Sequence, residues 1–269
     1  MKKSTYKYFK EKKWLQSVPN ALTVCNSVMG FAAILNTLQA YNNYSNKEIV
    51  FFTSALLILL AMIFDALDGY AARILHATSL KGVQMDSLSD MVTFGVAPAV
   101  LVAVMAHVYS LTHYGYIIAW LLCVVYLATA AHRLAKYNVM TMVEKKKSED
   151  ASFYGLPSPA AAAALCSLVF LFCSTKYDPM HYYVRILPIY AGVVGILMVS
   201  KVRYKHMGKW LAKLPKSRKS IIMLIVALIF FAIYPIFTVV VVVNGYVIFG
   251  IIFDVYKRIS DHRKKKNLR

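Results

Sequence analysis

Apolar positions along this chain run on for whole membrane widths. They alternate neither as in a half-buried strand nor with the narrow stripe of a surface helix. A helix needs about 20 such residues to cross a hydrocarbon core of about 30 Å. On that measure the sequence predicts eight spanning segments, near residues 20–40, 49–72, 86–108, 115–135, 157–174, 182–200, 219–236 and 238–256. Tyr234-Pro235 marks the very short turn expected between the last two, and Pro98 predicts a kink inside the third. Residues 139–156 form the most polar connection, with Gly155 to Pro159 opening the next span. The expected fold is an all-α integral membrane protein of about eight transmembrane helices.

Charge orients this picture. If both termini are cytoplasmic, every lysine and arginine except Lys47, Lys176 and Arg185 falls on the cytoplasmic side or at its edge. An odd number of spans would leave one basic terminus on the wrong side. The stretch Tyr6 to Val18 mixes Lys7, Lys10, Lys12 and Lys13 with Phe9, Trp14 and Leu15, the pattern of an amphipathic helix lying in the interface. The chain thus divides into a basic juxtamembrane segment (1–19), a six-helix core (20–200), a basic loop with two further helices (201–256) and a basic tail (257–269). A net charge of +19 raises the question of nucleic acid. The cations border the spans and no nucleic-acid motif accompanies them, so anionic lipid headgroups are the expected partners.

Composition adds little beyond agreement: 59% hydrophobic, 16% charged, mean hydropathy +0.55. Cys25, Cys123, Cys166 and Cys173 sit in apolar stretches without metal-like spacing and read as reduced packing residues. The small residues from Ala160 to Leu165 suit close approach of helices. The histidines are scattered, and no His-x-Lys-x4-Asp pair supports a phosphohistidine intermediate.

The exception to this apolar background carries the chemistry. Of only 12 acidic residues, four fall at 65, 68, 86 and 90, at the edges of membrane-length runs. A helix turns about 100° per residue, so Asp65 and Asp68 share one face, as do Asp86 and Asp90. Gly69 and Ala72 leave room beside them for a ligand to approach the backbone. Four like charges in a low-dielectric site repel one another, and Arg73 and Lys81 supply too little compensation. Two divalent cations would balance them, and all-oxygen ligands suit Mg2+ or Mn2+ held jointly with substrate phosphate. Phosphoryl transfer is the expected chemistry.

The pattern Asp65-x2-Asp68-Gly69-x2-Ala72-Arg73-x8-Gly82-x3-Asp86-x3-Asp90 resembles the signature of the CDP-alcohol phosphatidyltransferases without substitution or change of spacing. Further segments are similar to the integral-membrane branch whose acceptor is serine. These are Pro19-Asn20-x-Leu22-Thr23-x2-Asn26-x3-Gly30, Phe94-Gly95-x-Ala97-Pro98, Arg133-Leu134-Ala135-Lys136-Tyr137-Asn138 and Gly155-Leu156-Pro157-Ser158-Pro159. Lys136 and Tyr137 stand where the family more often has Arg and Phe. The resemblance covers roughly residues 15 to 175.

The resemblance implies that Asp65, Asp68, Asp86 and Asp90 hold two divalent ions against the diphosphate of CDP-diacylglycerol. It also implies that Asp90 is the general base for the L-serine hydroxyl and that CMP leaves. Asn20, Thr23, Asp68, Gly69, Ala72, Arg73 and Gly82 are then expected to bind the CDP-lipid. Serine needs a cation for its carboxylate, for which Arg133 is the first choice, with Lys136, Asn138 and Asn26 as further candidates. Relatives form homodimers, so a homodimer is expected, in a bacterial-type inner membrane with the site at the cytoplasmic face. Two alternatives remain: another acceptor, glycerol 3-phosphate or inositol phosphate, or a divalent-cation transporter. Against the transporter, no acids continue to the opposite face.

Overall fold

The computed structural model describes residues 13–42, 46–75, 79–109, 112–143, 155–174, 180–204 and 230–267. These residues are helical throughout apart from short connections. In chain order the helices are α1 (Lys13–Leu38), α2 (Lys47–Ile74), α3 (Leu80–Asp90), α4 (Ala97–Val108), α5 (His113–Val143), α6 (Ser158–Ser174), α7 (Met180–Val199) and α8 (Pro235–Asn267). A π-helical turn, Met91–Val96, joins α3 to α4 without a break. Five segments are long and apolar enough to cross a membrane: Ser17–Tyr41, Lys47–Ile74, Leu80–Val108, Tyr114–Val139 and Pro235–Ser260. The 17-residue α6 and the stretch Val184–Val199 are shorter apolar helices, near the lower limit for spanning.

Most predicted spans have a counterpart, with shifted ends. The first helix runs straight through Pro19 from Lys13, so the boundary expected at residue 20 is not a break. Residues 1–12 of the expected interfacial helix lie outside the described residues. The fourth predicted span continues as helix to Val143 and the last to Asn267, the latter through a tail rich in Lys and Arg, whose long side chains favour helix beyond the apolar run. The predicted span 219–236 lies outside the described residues except for its last turn. There Thr238 Oγ1 donates to Phe230 O at 3.3 Å, eight residues back, where a straight helix would have risen about 12 Å. The chain therefore bends sharply at Tyr234-Pro235, the dipeptide that marks the expected turn.

The third predicted span also differs in its irregularity. The distortion lies at Met91–Val96, before Pro98, which occupies the first turn of α4. Proline brings no N–H to the carbonyl four residues earlier, that of Phe94. Tyr126 supplies a donor instead, its buried hydroxyl meeting Phe94 O at 2.7 Å. The π-turn thus shifts the register between Asp90 and the packed half of the helix, and a side chain from α5 fixes that shift.

The core follows from small residues on inward faces. Ala161 to Leu165 of α6 are all buried, so this short helix sits among α2, α4, α7 and α8, as its alanines suggested. Phe51, Ala55 and Ile58 of α2 and Leu101, Val102 and Met105 of α4 complete the contact. Outward positions such as Val24, Val28 and Phe31 of α1 are exposed and apolar, as lipid-facing surface must be. Cys123 and Cys166 are buried and unpaired, as expected of packing residues. Tyr126→Phe should cost about 1–3 kcal/mol, the scale of a buried hydrogen bond whose acceptor stays behind. The check is the thermal midpoint of the detergent-purified protein, and a wild-type midpoint would mean the bond holds nothing.

Candidate active site

Helices α2 and α3 meet α1 at one end of the bundle, and hydroxyl groups do most of the joining. Ser27 Oγ lies 2.9 Å from Ser89 Oγ, which donates to the Thr23 carbonyl at 3.0 Å. Thr93 Oγ1 donates to the Asn26 carbonyl at 3.2 Å. Gly30 faces the backbone of Thr93 with no space for a Cβ, so any side chain there would push α1 off the π-turn. The glycine in the upstream motif is a helix-packing residue on this evidence.

This packing brings the four aspartates together. Oxygens of Asp65, Asp68 and Asp86 all lie within 4.8 Å of one another, although 18 residues and a helix change separate Asp68 from Asp86. Asp90 stands one turn further along α3, within electrostatic reach of the other three and paired with Asp65. Its Oδ1 is buried and has no hydrogen-bond partner. No lysine or arginine forms an ion pair with the cluster among the described residues; the pair of Arg258 with Asp254 lies elsewhere. Clustered carboxylate oxygens, one of them orphaned, form a donor set that suits a hard divalent cation. Thr23 Oγ1 lies 2.7 Å from Asp68 Oδ2 and 3.0 Å from the Pro19 carbonyl, an outer contact that orients this carboxylate.

Beside the carboxylates opens a cavity of about 100 Å3, lined by Pro19, Asn20, Thr23, Asp68, Gly69, Ala72, Ser79, Gly82, Val83 and Asp86. Six of the seven residues expected to bind the CDP-lipid are among them. A Cβ at Gly69 would meet nothing within 4 Å, whereas one at Gly82 would press on Ser79 Oγ at 3.1 Å and approach Asn20 Oδ1 at 3.5 Å. Gly69 leaves open space, and Gly82 lets α3 start tightly against α1, with Ser79 Oγ capping it by accepting from Gly82 N at 3.0 Å. The seventh, Arg73, is exposed and donates from Nε to the Gly69 carbonyl one turn back at 2.9 Å.

The residues expected to hold serine lie on the other flank. Arg133 of α5 donates from Nη1 to Ser158 Oγ at 3.0 Å, and its buried Nε has no partner. Asp90 and Tyr137 are its charged and phenolic neighbours. Asn138 Oδ1 accepts from Ser87 Oγ at 2.7 Å, tying α5 to α3 between Asp86 and Asp90. Lys136 is exposed. Asn26 is wholly buried, and neither amide atom has a partner. Unpaired buried polar groups are rare and call for an explanation such as a ligand. Tyr137 and Ser158 were not foreseen as site residues. Tyr137 stands one helical turn beyond Arg133, and Ser158 lies inside a quoted motif, so both signals were present.

A model of the CDP-alcohol phosphatidyltransferase family matches residues 16–200. The chain belongs to this family. Among similar proteins are three named CDP-diacylglycerol–serine O-phosphatidyltransferase. The Helicobacter pylori (strain ATCC 700392 / 26695) protein is 30% identical over 237 residues, 87% of this chain and 89% of its own. That of Bacillus subtilis (strain 168) is 33% identical over 197 residues, 73% of this chain and 94% of its own. The third, from Methanocaldococcus jannaschii, is 30% identical over 188 residues, 70% and 73%. All the residues of the site described above fall inside the matched stretch.

Mn2+ should bind the purified protein and raise its thermal midpoint. Asp86→Asn is expected to abolish that shift, and Thr23→Val to weaken Mn2+ affinity about 10–100-fold by freeing the Asp68 carboxylate. An unchanged affinity in Thr23→Val would reduce this hydroxyl to a local tie within α1.

Proposed function

We propose that this phosphatidyltransferase moves the phosphatidyl group of CDP-diacylglycerol to the hydroxyl of L-serine and releases CMP. The observation that carries the reading is the placement of one carboxylate cluster between two flanks of different chemistry. On one side is a cavity lined by small and amide residues, and on the other a partly buried arginine with an open edge. The serine acceptor is supported by the names of relatives that are alike over most of their length.

In the proposed mechanism Asp65, Asp68 and Asp86, joined by Asp90, would hold two divalent cations, Mg2+ or Mn2+. Such ions neutralise the diphosphate and the charge that develops on the phosphorus oxygens during an in-line displacement. Asn20, Thr23, Gly69, Ala72 and Gly82 admit the nucleotide end of the donor, and Gly69 leaves the space it needs. Arg73 suits an outer phosphate oxygen once it swings from its own helix. Arg133 meets the serine carboxylate through its free Nε edge while Ser158 holds Nη1, a side-on arrangement that lysine does not offer. Asn26 and Asn138 stand by for the polar groups of the acceptor, and Lys136 lies at the margin. Asp90, one of whose oxygens is buried and unpaired, takes the proton of the serine hydroxyl as the hydroxyl oxygen attacks the lipid-side phosphorus. The phosphorus–oxygen bond to CMP breaks, and phosphatidylserine stays in the bilayer.

The reading also places the site at the cytoplasmic face of a bacterial-type inner membrane, where serine and CMP are soluble. It includes eight spans with both termini on that side, anionic lipids around the basic segments, and a homodimer. The test is CMP release by purified protein given CDP-diacylglycerol and Mn2+ or Mg2+, with serine, glycerol 3-phosphate and inositol phosphate in competition. Serine-dependent release should fall about 10^2–10^4-fold in Asp90→Asn, the range for loss of a general base. Preference for another acceptor would overturn serine and leave the family chemistry standing.

A further inference from the structure

Helices α5 and α7 pack tightly over their middle turns. A Cβ at Gly192 would lie 2.8 Å from Leu122 Cδ2, and one at Gly195 would lie 2.9 Å from the Cα of Tyr126. Neither position has space for a side chain. Toward the start of both helices this close contact gives way to a groove of about 240 Å3. Pro188, which interrupts the backbone ladder of α7, stands at the level where the two helices part. The groove lies at the end of the bundle away from the carboxylates. At about 1.5 Å per residue, Gly115 on its rim is about 27 Å along α5 from Arg133.

The lining is of two kinds. Ile118, Ala119, Leu122, Pro188 and Ile189 make an apolar floor, while Thr112, Gly115 and Arg185 make the outer rim. Thr112 Oγ1 accepts from Gly115 N at 3.3 Å and keeps its own O–H to donate. No carboxylate is among these described lining residues. Of the three cations that the sequence assigns to this face, Lys47, Lys176 and Arg185, it is Arg185 that stands on the groove. Around the mouth, Tyr114, Leu121 and Ile186 are exposed and apolar, which marks a surface that meets the membrane.

We propose that this groove binds an anionic phospholipid of the leaflet opposite the carboxylate site, with its phosphate on Arg185 and Thr112 and one acyl chain on the apolar floor. A guanidinium presents a planar fork that matches two phosphate oxygens, and it is less strongly hydrated than an ammonium. Charge therefore selects the headgroup. A zwitterionic lipid brings its own cation to the phosphate and competes with Arg185, whereas an anionic lipid does not. Size selects the tail. At about 240 Å3 the groove falls short of the roughly 300–1,000 Å3 that encloses a whole small-molecule ligand, which suits one chain of a molecule whose other chain stays in the bilayer. The bound chain fills the gap between α5 and α7, so the lipid joins the two helices at their starts as Gly192 and Gly195 join them in the middle.

The experiment follows lipid binding by native mass spectrometry, and the thermal midpoint beside it, for the full chain in detergent with phosphatidylglycerol, phosphatidylcholine or inorganic phosphate. It compares wild type, Arg185→Gln, Ile189→Trp and Lys47→Gln. Anionic lipid also meets the basic segments at the other end, so the site is read as the difference between variants. Wild type should retain one more phosphatidylglycerol than Ile189→Trp, whose indole covers the floor from an exposed position, and its midpoint should rise with that lipid more than with phosphatidylcholine. Arg185→Gln should weaken this binding roughly tenfold, the scale of one charge-assisted contact. Lys47→Gln removes a cation that does not line the groove and should bind as wild type does. Equal phosphatidylglycerol binding in wild type and Arg185→Gln overturns the site, and an equal loss in Lys47→Gln reduces it to the general charge of that face. A full midpoint rise with inorganic phosphate overturns the role of the acyl chain. A shift from dimer to monomer in Ile189→Trp with lipid binding unchanged overturns the lipid and assigns the groove to a second copy of the chain.

Discussion

Everything at the working end of this protein depends on keeping four carboxylates together inside an apolar bundle. Like charges in low dielectric repel strongly, and burial adds a desolvation cost of several kcal/mol per ion. The fold meets part of this through packing. α1 crosses α2 and α3 at once, and Thr23, Ser27, Ser89 and Thr93 bond across the contact without introducing charge. Gly30 permits the close approach that those short hydroxyls need. What packing leaves over is a cluster of oxygens with room for cations, which is how a site can be assembled and still remain unsatisfied until it is loaded.

The π-turn after Asp90 serves the same constraint. An α-helix that kept its register through Met91–Val96 would carry Asp90 and the packed residues of α4 on a different relation of faces. The inserted turn lets Asp90 look toward Asp65 and Arg133 while Phe94, Ala97 and Leu101 stay in the core. Tyr126 and Pro98 together make that turn a fixed feature, one by giving a donor and the other by withholding one.

The two flanks of the cluster come from different parts of the chain. On the proposed reading α1, α2 and the start of α3 make the donor side, while α5 and the opening of α6 make the acceptor side. An in-line displacement needs its entering and leaving groups on opposite sides of phosphorus, and this division of helices suits it.

Much of this was legible along the chain. Asp65 with Asp68 and Asp86 with Asp90 are local pairs on single helices, and helical geometry alone puts each pair on one face. The same holds for the run of apolar segments and for Gly69 and Ala72 beside the acids. Local order is set by bonds between residues three or four apart, so sequence determined it. The joining of the two aspartate pairs, the use of Gly30 and Gly82 as contact points for α1, the fold-back of Arg73 and the pairing of Arg133 with Ser158 belong to contacts across many residues. The π-turn at Met91–Val96 was not foreseen either, only a kink at Pro98, because the carbonyl freed there is met by a hydroxyl 32 residues away. Only the tertiary structure decided these, since side-chain direction and burial follow from which helices pack together and at what register, and no single segment contains that information.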